Sequence, residues 1–275
     1  MVIITGASSG IGRAMALQLA ARGAGVVLAA RRKDLLAKVA AECRLIGGEA
    51  LVVPTDISDE SQCKALVDRT IKKFKRLDML VNNAGLTAVS LFEDFPDLEL
   101  FQHVMGVNFY GAVYCTYYAL PFLKESRGRI LVISSLGGKA ALPYNTPYVS
   151  SKFALHGFFE SMRMELVRHA VSVTIVCPYW VVSGFHEAQL NKHGKARGTR
   201  GRAIYTKKTM TAERCADIAL RAAYKGKREV LLGPGYLATW LRLIAPGLVD
   251  WIVVNMVLKP AVRRTRQRQG TSRRS

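Results

Sequence analysis

"VIITGASSGIG", Val2 to Gly12, sets a β-branched run directly against Gly6, Gly10 and Gly12, spaced G-x-x-x-G-x-G, and a helical pattern follows at once. β-branched side chains favour a strand. Glycine permits backbone angles and close approaches that a Cβ blocks. A helix starting at such a turn presents unsatisfied N–H groups and the positive end of its dipole, which seat a pyrophosphate. Strand, glycine turn and helix in that order predict a dinucleotide-binding unit rather than a tight turn alone.

The same alternation continues outward. Strand-like runs are expected at Val2–Thr5, Gly25–Ala30, Glu49–Pro54, Asp78–Asn82, Arg129–Ser134, Ser172–Cys177 and Glu229–Gly233, with helical patterns such as Arg13–Arg22, Asp34–Ile46 and Glu60–Phe74 between them. The runs are apolar on both faces, as in strands buried within a parallel sheet. Strict alternation predicts an α/β fold of Rossmann type, a doubly wound parallel sheet of about seven strands with helices on both faces. One domain is expected over residues 1–235, with a C-terminal appendage of apolar helices and basic tail over 236–275.

The end of the second strand bears on the cofactor. A fold preferring NAD places Asp or Glu there for the ribose 2′-OH. This chain has Arg31-Arg32-Lys33, and the nearest carboxylate, Asp34, is expected to begin the next helix. Guanidinium groups suit a 2′-phosphate, so NADP(H) is favoured over NAD(H).

Composition narrows the class. Half of the 275 residues are apolar and 22% are charged, which fits a packed globular protein. The five cysteines are scattered without a C-x-x-C pair, so neither a metal site nor a disulfide framework is expected. No signal peptide is legible before the first strand, and a cytoplasmic location is the expectation. The formal charge of +20 is concentrated in Asn191–Lys208 and in the tail Lys259–Ser275, both free of acids. Neither segment interleaves aromatics with its basic residues or carries a zinc-finger or helix-turn-helix spacing, so specific nucleic-acid binding is not expected.

"YVSSK", Tyr148 to Lys152, places a phenol and an ammonium on one helical face. Alone it is an unremarkable surface pair. With Thr5-Gly6-x-x-x-Gly10-x-Gly12, "TDI" at Thr55–Ile57, "NNAG" at Asn82–Gly85, Asn108 in "VNFYG" and "ISS" at Ile133–Ser135, it becomes specific. In this order the pieces make residues 1–235 resemble the short-chain dehydrogenase/reductase family. The resemblance implies an oxidoreductase with a tetrad of Asn108, Ser135, Tyr148 and Lys152. Ser135 is preferred to Ser134 because it stands thirteen residues before the tyrosine. The resemblance also implies cofactor contacts from Gly6, Ser8, Ser9, Gly10, Ile11 and Gly12, from Asp56 beside the adenine, and from Asn83, Ala84 and Gly85. Tyr148, Lys152, Val181 and Ser183 join that set. A homo-oligomer, dimer or tetramer, is implied as well.

A departure follows the sixth strand. Members usually carry Pro-Gly and then threonine; here "CPYWVVSGFH" keeps Pro178 but has Tyr179 for the glycine and Ser183 for the threonine. Tyr179 is expected to crowd the nicotinamide side of the pocket.

The expected chemistry is proton transfer by Tyr148, with the Lys152 ammonium lowering the phenol pKa. Ser135 would hold the substrate oxygen, and the resemblance implies that Asn108 anchors a water that passes protons to Lys152. Leu142, Tyr144, Tyr179, Trp180 and Phe185 predict an apolar, aromatic pocket for a lipid-like, steroid-like or acyl carbonyl or secondary alcohol. Arg197 to Lys208 could reach a substrate carboxylate only by folding over the pocket, and His186 reads as a solvated or structural histidine. A non-catalytic dinucleotide-binding or membrane-associated scaffold is the alternative function.

In the appendage, Pro246-Gly247 predicts two short helices rather than a spanning one. Trp240, Trp251 and the seven basic residues that follow suit peripheral contact with an anionic membrane surface. A pocket lid or a subunit interface is the other reading.

Overall fold

The computed structural model describes residues 1–198, 205–206, 209–233 and 236–258. Its centre is a seven-stranded parallel sheet ordered β3-β2-β1-β4-β5-β6-β9. The strands are β1 (Val2–Thr5), β2 (Val26–Ala30), β3 (Ala50–Pro54), β4 (Met79–Asn82), β5 (Arg129–Ile133), β6 (Ser172–Cys177) and β9 (Glu229–Leu231). A separate two-stranded sheet pairs β7 (Val181–Val182) with β8 (Met210–Thr211).

The period of two along β1 divides the core. Val2 and Ile4 join one apolar cluster and Ile3 the other, all nearly inaccessible to solvent. The helices α1 (Gly10–Ala20), α2 (Lys33–Leu45) and α7 (Ala212–Tyr224) contribute Met15, Leu36 and Leu220 to the first cluster. The second takes Leu66 from α3 (Glu60–Phe74), Leu123 from α5 (Gly111–Glu125) and Phe159 from α6 (Thr146–Glu165). This is the doubly wound arrangement expected, and it puts loops at the carboxyl ends of the strands, where such sheets take ligands.

Local chemistry sets several boundaries. The Asp59 carboxylate accepts from the Gln62 amide at 3.2 Å and starts α3, while Lys75 in the left-handed region ends it. Thr211 caps α7 in the same way through the Arg214 amide. The helix α4 (Glu99–Met105) runs through one π-helical turn, Gly106–Tyr110, into α5. That turn carries Asn108, and π-helical turns concentrate at functional positions.

Two short helices follow the sheet, α8 (Tyr236–Ile244) and α9 (Pro246–Val253), and a π-helical turn, Val254–Leu258, extends the second. The break falls at Ala245–Pro246. Arg242 fastens α8 to the body: its guanidinium donates to the Lys139 carbonyl at 3.2 Å and lies 5.5 Å from the Phe153 ring centre. No helix among the described residues is long and apolar enough to cross a membrane. The basic tail Lys259–Ser275 and most of Thr199–Lys208 lie outside the described residues.

Candidate active site

The glycine turn is a cradle that side chains would fill. Gly6 and Gly10 have φ of +66° and +54°, where a Cβ is strained. A Cβ on Gly6 would stand 2.8 Å from the Ala84 Cα, and one on Gly10 would stand 2.6 Å from the Ser183 carbonyl oxygen. On Gly12 it would collide with the Gly6 carbonyl and meet Asn83 Nδ2 at 2.6 Å. The α1 N-terminus opens at this turn with Ser9 extended and no side chain capping it.

Thr5 latches β1 to β4. Its buried hydroxyl donates to the Val81 carbonyl at 3.2 Å and accepts from the amides of Asn83 and Ala84 at 3.0 and 3.1 Å. Asn83 returns a bond from Nδ2 to the Thr5 carbonyl at 2.8 Å. Asn83 and Ala84 therefore back the cradle, and Gly85 leaves room beside Lys152: a Cβ there would stand 3.8 Å from Nζ. Ile11 packs against the core beneath the turn, and Val181 is buried in β7. Ser183 presses on Gly10, which places it at the glycine turn, while its hydroxyl donates to the Val181 carbonyl at 3.3 Å.

Both arginines after β2 are exposed. Arg32 folds back over the turn, Nη2 donating to Ser8 Oγ at 3.1 Å and to Ser9 Oγ at 3.4 Å. Burial alone would raise the Asp56 carboxyl. The Ser58 hydroxyl at 2.7 Å, its amide at 3.0 Å and the Arg31 charge outweigh that and hold it below the ordinary range. A cradle open only to backbone and edged by donors fits a nicotinamide dinucleotide.

The four residues expected to form a tetrad gather beside Gly85 and Gly137. A Cβ on Gly137 would stand 3.5 Å from both Ser135 Oγ and the Tyr148 ring, so the two side chains flank one point, and the Ser135 hydroxyl accepts from the Gly137 amide at 3.0 Å. Ser134, the serine not chosen, has its hydroxyl buried without a hydrogen-bond partner. Lys152 is 4% exposed, donates to the Ile133 carbonyl at 3.0 Å and lies 5.6 Å from the Tyr148 ring centre. Asn108 accepts from the Leu86 amide at 2.8 Å and donates to the Leu86 carbonyl and to Ser151 Oγ, both at 2.9 Å. Ser151 in turn donates to the Tyr148 carbonyl at 2.7 Å. The second serine of "YVSSK" is thus the tie between Asn108 and the Tyr148 helix. Its i+3 spacing from Tyr148 was the available signal, and sequence reasoning missed it, as it missed the Thr5 latch.

One electrostatic expectation is corrected. Burial pushes the Tyr148 phenol up to about 12 despite the neighbouring Ser135 hydroxyl, rather than Lys152 bringing it down. The lysine is itself enclosed, and burial pushes its ammonium down to about 8. Both groups are held toward their neutral forms by the same desolvation.

The side expected to face the substrate is aromatic. Phe185 covers Tyr148 at 5.8 Å between ring centres. Tyr179 stacks on Trp180 at 4.7 Å, and both are 42% exposed. The bulk of Tyr179 is absorbed on the other side: a Cβ on Gly233, just after β9, would stand 2.7 Å from the Tyr179 Cβ. His186 is packed between Phe185 and Tyr205, and burial lowers its pKa. Arg197 is engaged by Gln189 at 2.8 Å rather than aimed into the pocket.

Residues 1–193 match the family model described as short chain dehydrogenase. The chain belongs to the short-chain dehydrogenase/reductase family. Among relatives of this short-chain dehydrogenase/reductase, 11-beta-hydroxysteroid dehydrogenase A of Sesamum indicum is 37% identical, over 94% of this chain and 75% of its own length. A 38% identical relative, 11-beta-hydroxysteroid dehydrogenase of Pinus massoniana, spans 91% of this chain and 72% of its own. Of solved structures, a Burkholderia phymatum short-chain dehydrogenase/reductase in complex with NAD superposes with a TM-score of 0.81 at 28% identity, over 90% of this chain and 94% of that one. An alcohol dehydrogenase from Thermococcus sibiricus complexed with 5-hydroxy-NADP gives 0.71 at 28% identity, over 84% and 94%. The protein is an oxidoreductase acting on CH–OH or C=O groups with a nicotinamide dinucleotide.

Proposed function

We propose that this short-chain dehydrogenase/reductase interconverts an apolar, steroid-like ketone and its secondary alcohol, with NADP(H) as the preferred cofactor. The observation that carries the reaction is the meeting of Ser135, Tyr148 and enclosed Lys152 beside a cradle that only glycines leave open. Tyr148 serves as acid and base at the substrate oxygen, which Ser135 holds. Lys152 supplies charge beside the phenol, and Asn108 and Ser151 fix the helix that carries both. When bound, the nicotinamide exchanges hydride with the carbonyl carbon; the chain supplies position and protons. With reductive turnover the phenol's raised pKa suits proton donation, since a neutral phenol is what must give a proton to the forming alkoxide.

The cofactor preference rests on Arg32, whose guanidinium spends its hydrogen bonds on two serine hydroxyls. A phosphate is a far stronger acceptor for the same donors. The apolar substrate rests on Phe185, Tyr179 and Trp180 and on relatives named for hydroxysteroids. The exposed apolar residues of α8 and α9 support peripheral contact with an anionic membrane surface. A catalytic tetrad brought together in this way argues against a pure scaffold.

The test is cofactor oxidation, NADPH against NADH, with a panel of a steroid ketone, a medium-chain ketone and a charged keto acid. Turnover of the steroid and chain ketones, faster with NADPH, is expected. A panel in which only the keto acid reacts, or in which nothing reacts, would sink the proposal.

A further inference from the structure

Behind the catalytic helix lies a second cluster that the reaction does not use. His156 on α6, Cys177 at the end of β6 and Glu229 at the start of β9 bring a ring nitrogen, a sulfur and a carboxylate oxygen within 4.8 Å of one another. Glu229 Oε1 is 3.5 Å from His156 Nδ1 and 3.9 Å from Cys177 Sγ. A second carboxylate, Glu160 Oε1, lies 3.6 Å from the same Nδ1. His156 is only 6% exposed, and its Nδ1 has no hydrogen-bond partner. Buried polar nitrogens are almost always paired, so an orphan facing two carboxylates calls for an explanation.

A nitrogen, a thiol and a carboxylate are the donor set of a zinc site with one position open. The Cys177 thiol lies 3.5 Å from Nε2 while the carboxylates face Nδ1, so the imidazole must turn to give one nitrogen to an ion that both hold. We propose that His156, Cys177 and Glu229 form a binding site for a thiophilic divalent cation, Zn²⁺ being the best match, with Glu160 or a water as fourth ligand. The cationic position is held in this structure by the Lys139 ammonium, 2.8 Å from Glu229 and 3.2 Å from Glu160. Its side chain is 26% exposed and long enough to swing toward solvent. Binding replaces that single charge with two, and the Cys177 thiol releases its proton to solvent as the Zn–S bond forms. The ion must displace the thiol proton and compete with the Lys139 ammonium already seated on Glu229. The site is therefore one of modest affinity, filled conditionally rather than during folding.

Its place in the fold links it to the reaction. His156 is one helical turn beyond Lys152, and Cys177 precedes Pro178, whose carbonyl accepts from the Leu136 amide at 3.1 Å. A bound ion would draw α6, β6 and the Ser135 loop together behind Tyr148.

The probe is Co²⁺ added to full-length protein freed of metal with a chelator. A thiolate-to-cobalt charge-transfer band in the near ultraviolet is expected, and Zn²⁺ should displace it. Cys177→Ser should abolish the band, and Lys139→Ala, which removes the competing ammonium, should tighten Co²⁺ binding about tenfold or more. Absence of the band overturns the proposal. So does a band that persists in Cys177→Ser, which would assign it to Cys63 and Cys115 or another thiol. Unchanged affinity in Lys139→Ala overturns it as well. If Cys177→Ser does not fold, Glu229→Gln decides: the band must then require at least tenfold more Co²⁺, and an unshifted titration refutes the site.

Discussion

On the dinucleotide side of the cleft the walls are backbone and short polar groups, as where Gly12 abuts the Gly6 carbonyl and Thr5 latches Asn83 and Ala84. On the substrate side they are large rings, with Phe185 over Tyr148 and Tyr179 against Trp180, both of the latter well exposed. A backbone wall has no side chain to exchange, so its sequence is tightly constrained and its ligand is fixed. A wall of rings can change one side chain at a time and retune what it accepts. Tyr179 is an example, its volume matched by the missing Cβ of Gly233. The tetrad proposed above, Asn108, Ser135, Tyr148 and Lys152, would lie on the seam, and this contrast ranks what mutations there should do.

The largest effect belongs on the seam. Tyr148→Phe keeps the ring against Phe185 and removes only the hydroxyl. Turnover should fall by about 10²–10⁴-fold while dinucleotide affinity holds, the loss typical of a missing general acid. A variant retaining more than roughly a tenth of wild-type kcat would move the proton donor elsewhere.

Lys152 sets the next effect, on stability. Its folded pKa, about 8, lies below the ordinary 10.5, so between those values the unfolded chain binds more protons and stability rises with pH. Below about pH 8 the enclosed ammonium costs the full difference, on the order of 3 kcal/mol. Tyr148 works in the opposite sense: raised to about 12, it contributes stability that is complete below about pH 10 and lost above. Denaturant midpoints from neutral pH to about pH 10 should climb in the wild type and stay flatter in Lys152→Met. Parallel profiles would mean the lysine is better solvated than its 4% exposure implies.

Arg32→Ala sharpens the dinucleotide side. Loss of a charge-assisted phosphate contact should weaken NADPH by roughly ten- to a hundredfold and leave NADH nearly unchanged. Equal losses for both cofactors would mean that Arg32 supports the turn through Ser8 and Ser9 rather than reading a phosphate.

The same contrast decides what the sequence made legible. β1, α3 and β6 fall where their patterns put them, because a β-branched run beside glycine, or an Asp cap before a 3.6-residue stripe, is a local signal. The pairing of β7 with β8 was not legible: two-residue strands joined across 27 intervening positions carry no periodicity. Nor was the accommodation of Tyr179, which depends on Gly233 more than 50 residues later. The Tyr148 pKa failed for a related reason. "YVSSK" fixes the lysine's position but not the surroundings of the phenol, to which Phe185 contributes from elsewhere in the chain.

The smallest effect, and the furthest from the cradle, concerns α8 and α9. Trp240, Leu243, Ile244 and Trp251 are between 61% and 85% exposed on two consecutive short helices held to the body through Arg242. Seven basic residues and no acid follow in the sequence over Lys259–Ser275. That pairing matches an anionic lipid surface, where rings enter the interface and each basic residue adds about 1 kcal/mol at low salt. Burying roughly 60 Å² of each indole, at about 25 cal/mol per Å², contributes about 1.5 kcal/mol, or near tenfold in partitioning. Sedimentation with anionic vesicles should carry the full-length protein down, less so as salt rises. Trp240→Ala and Trp251→Ala should each cut the bound fraction by up to that factor, and deletion of residues 236–275 should remove it. Protein that stays in the supernatant at low salt but self-associates with rising concentration would make the same rings a contact between copies, since an apolar surface of this kind must be covered by lipid or by protein.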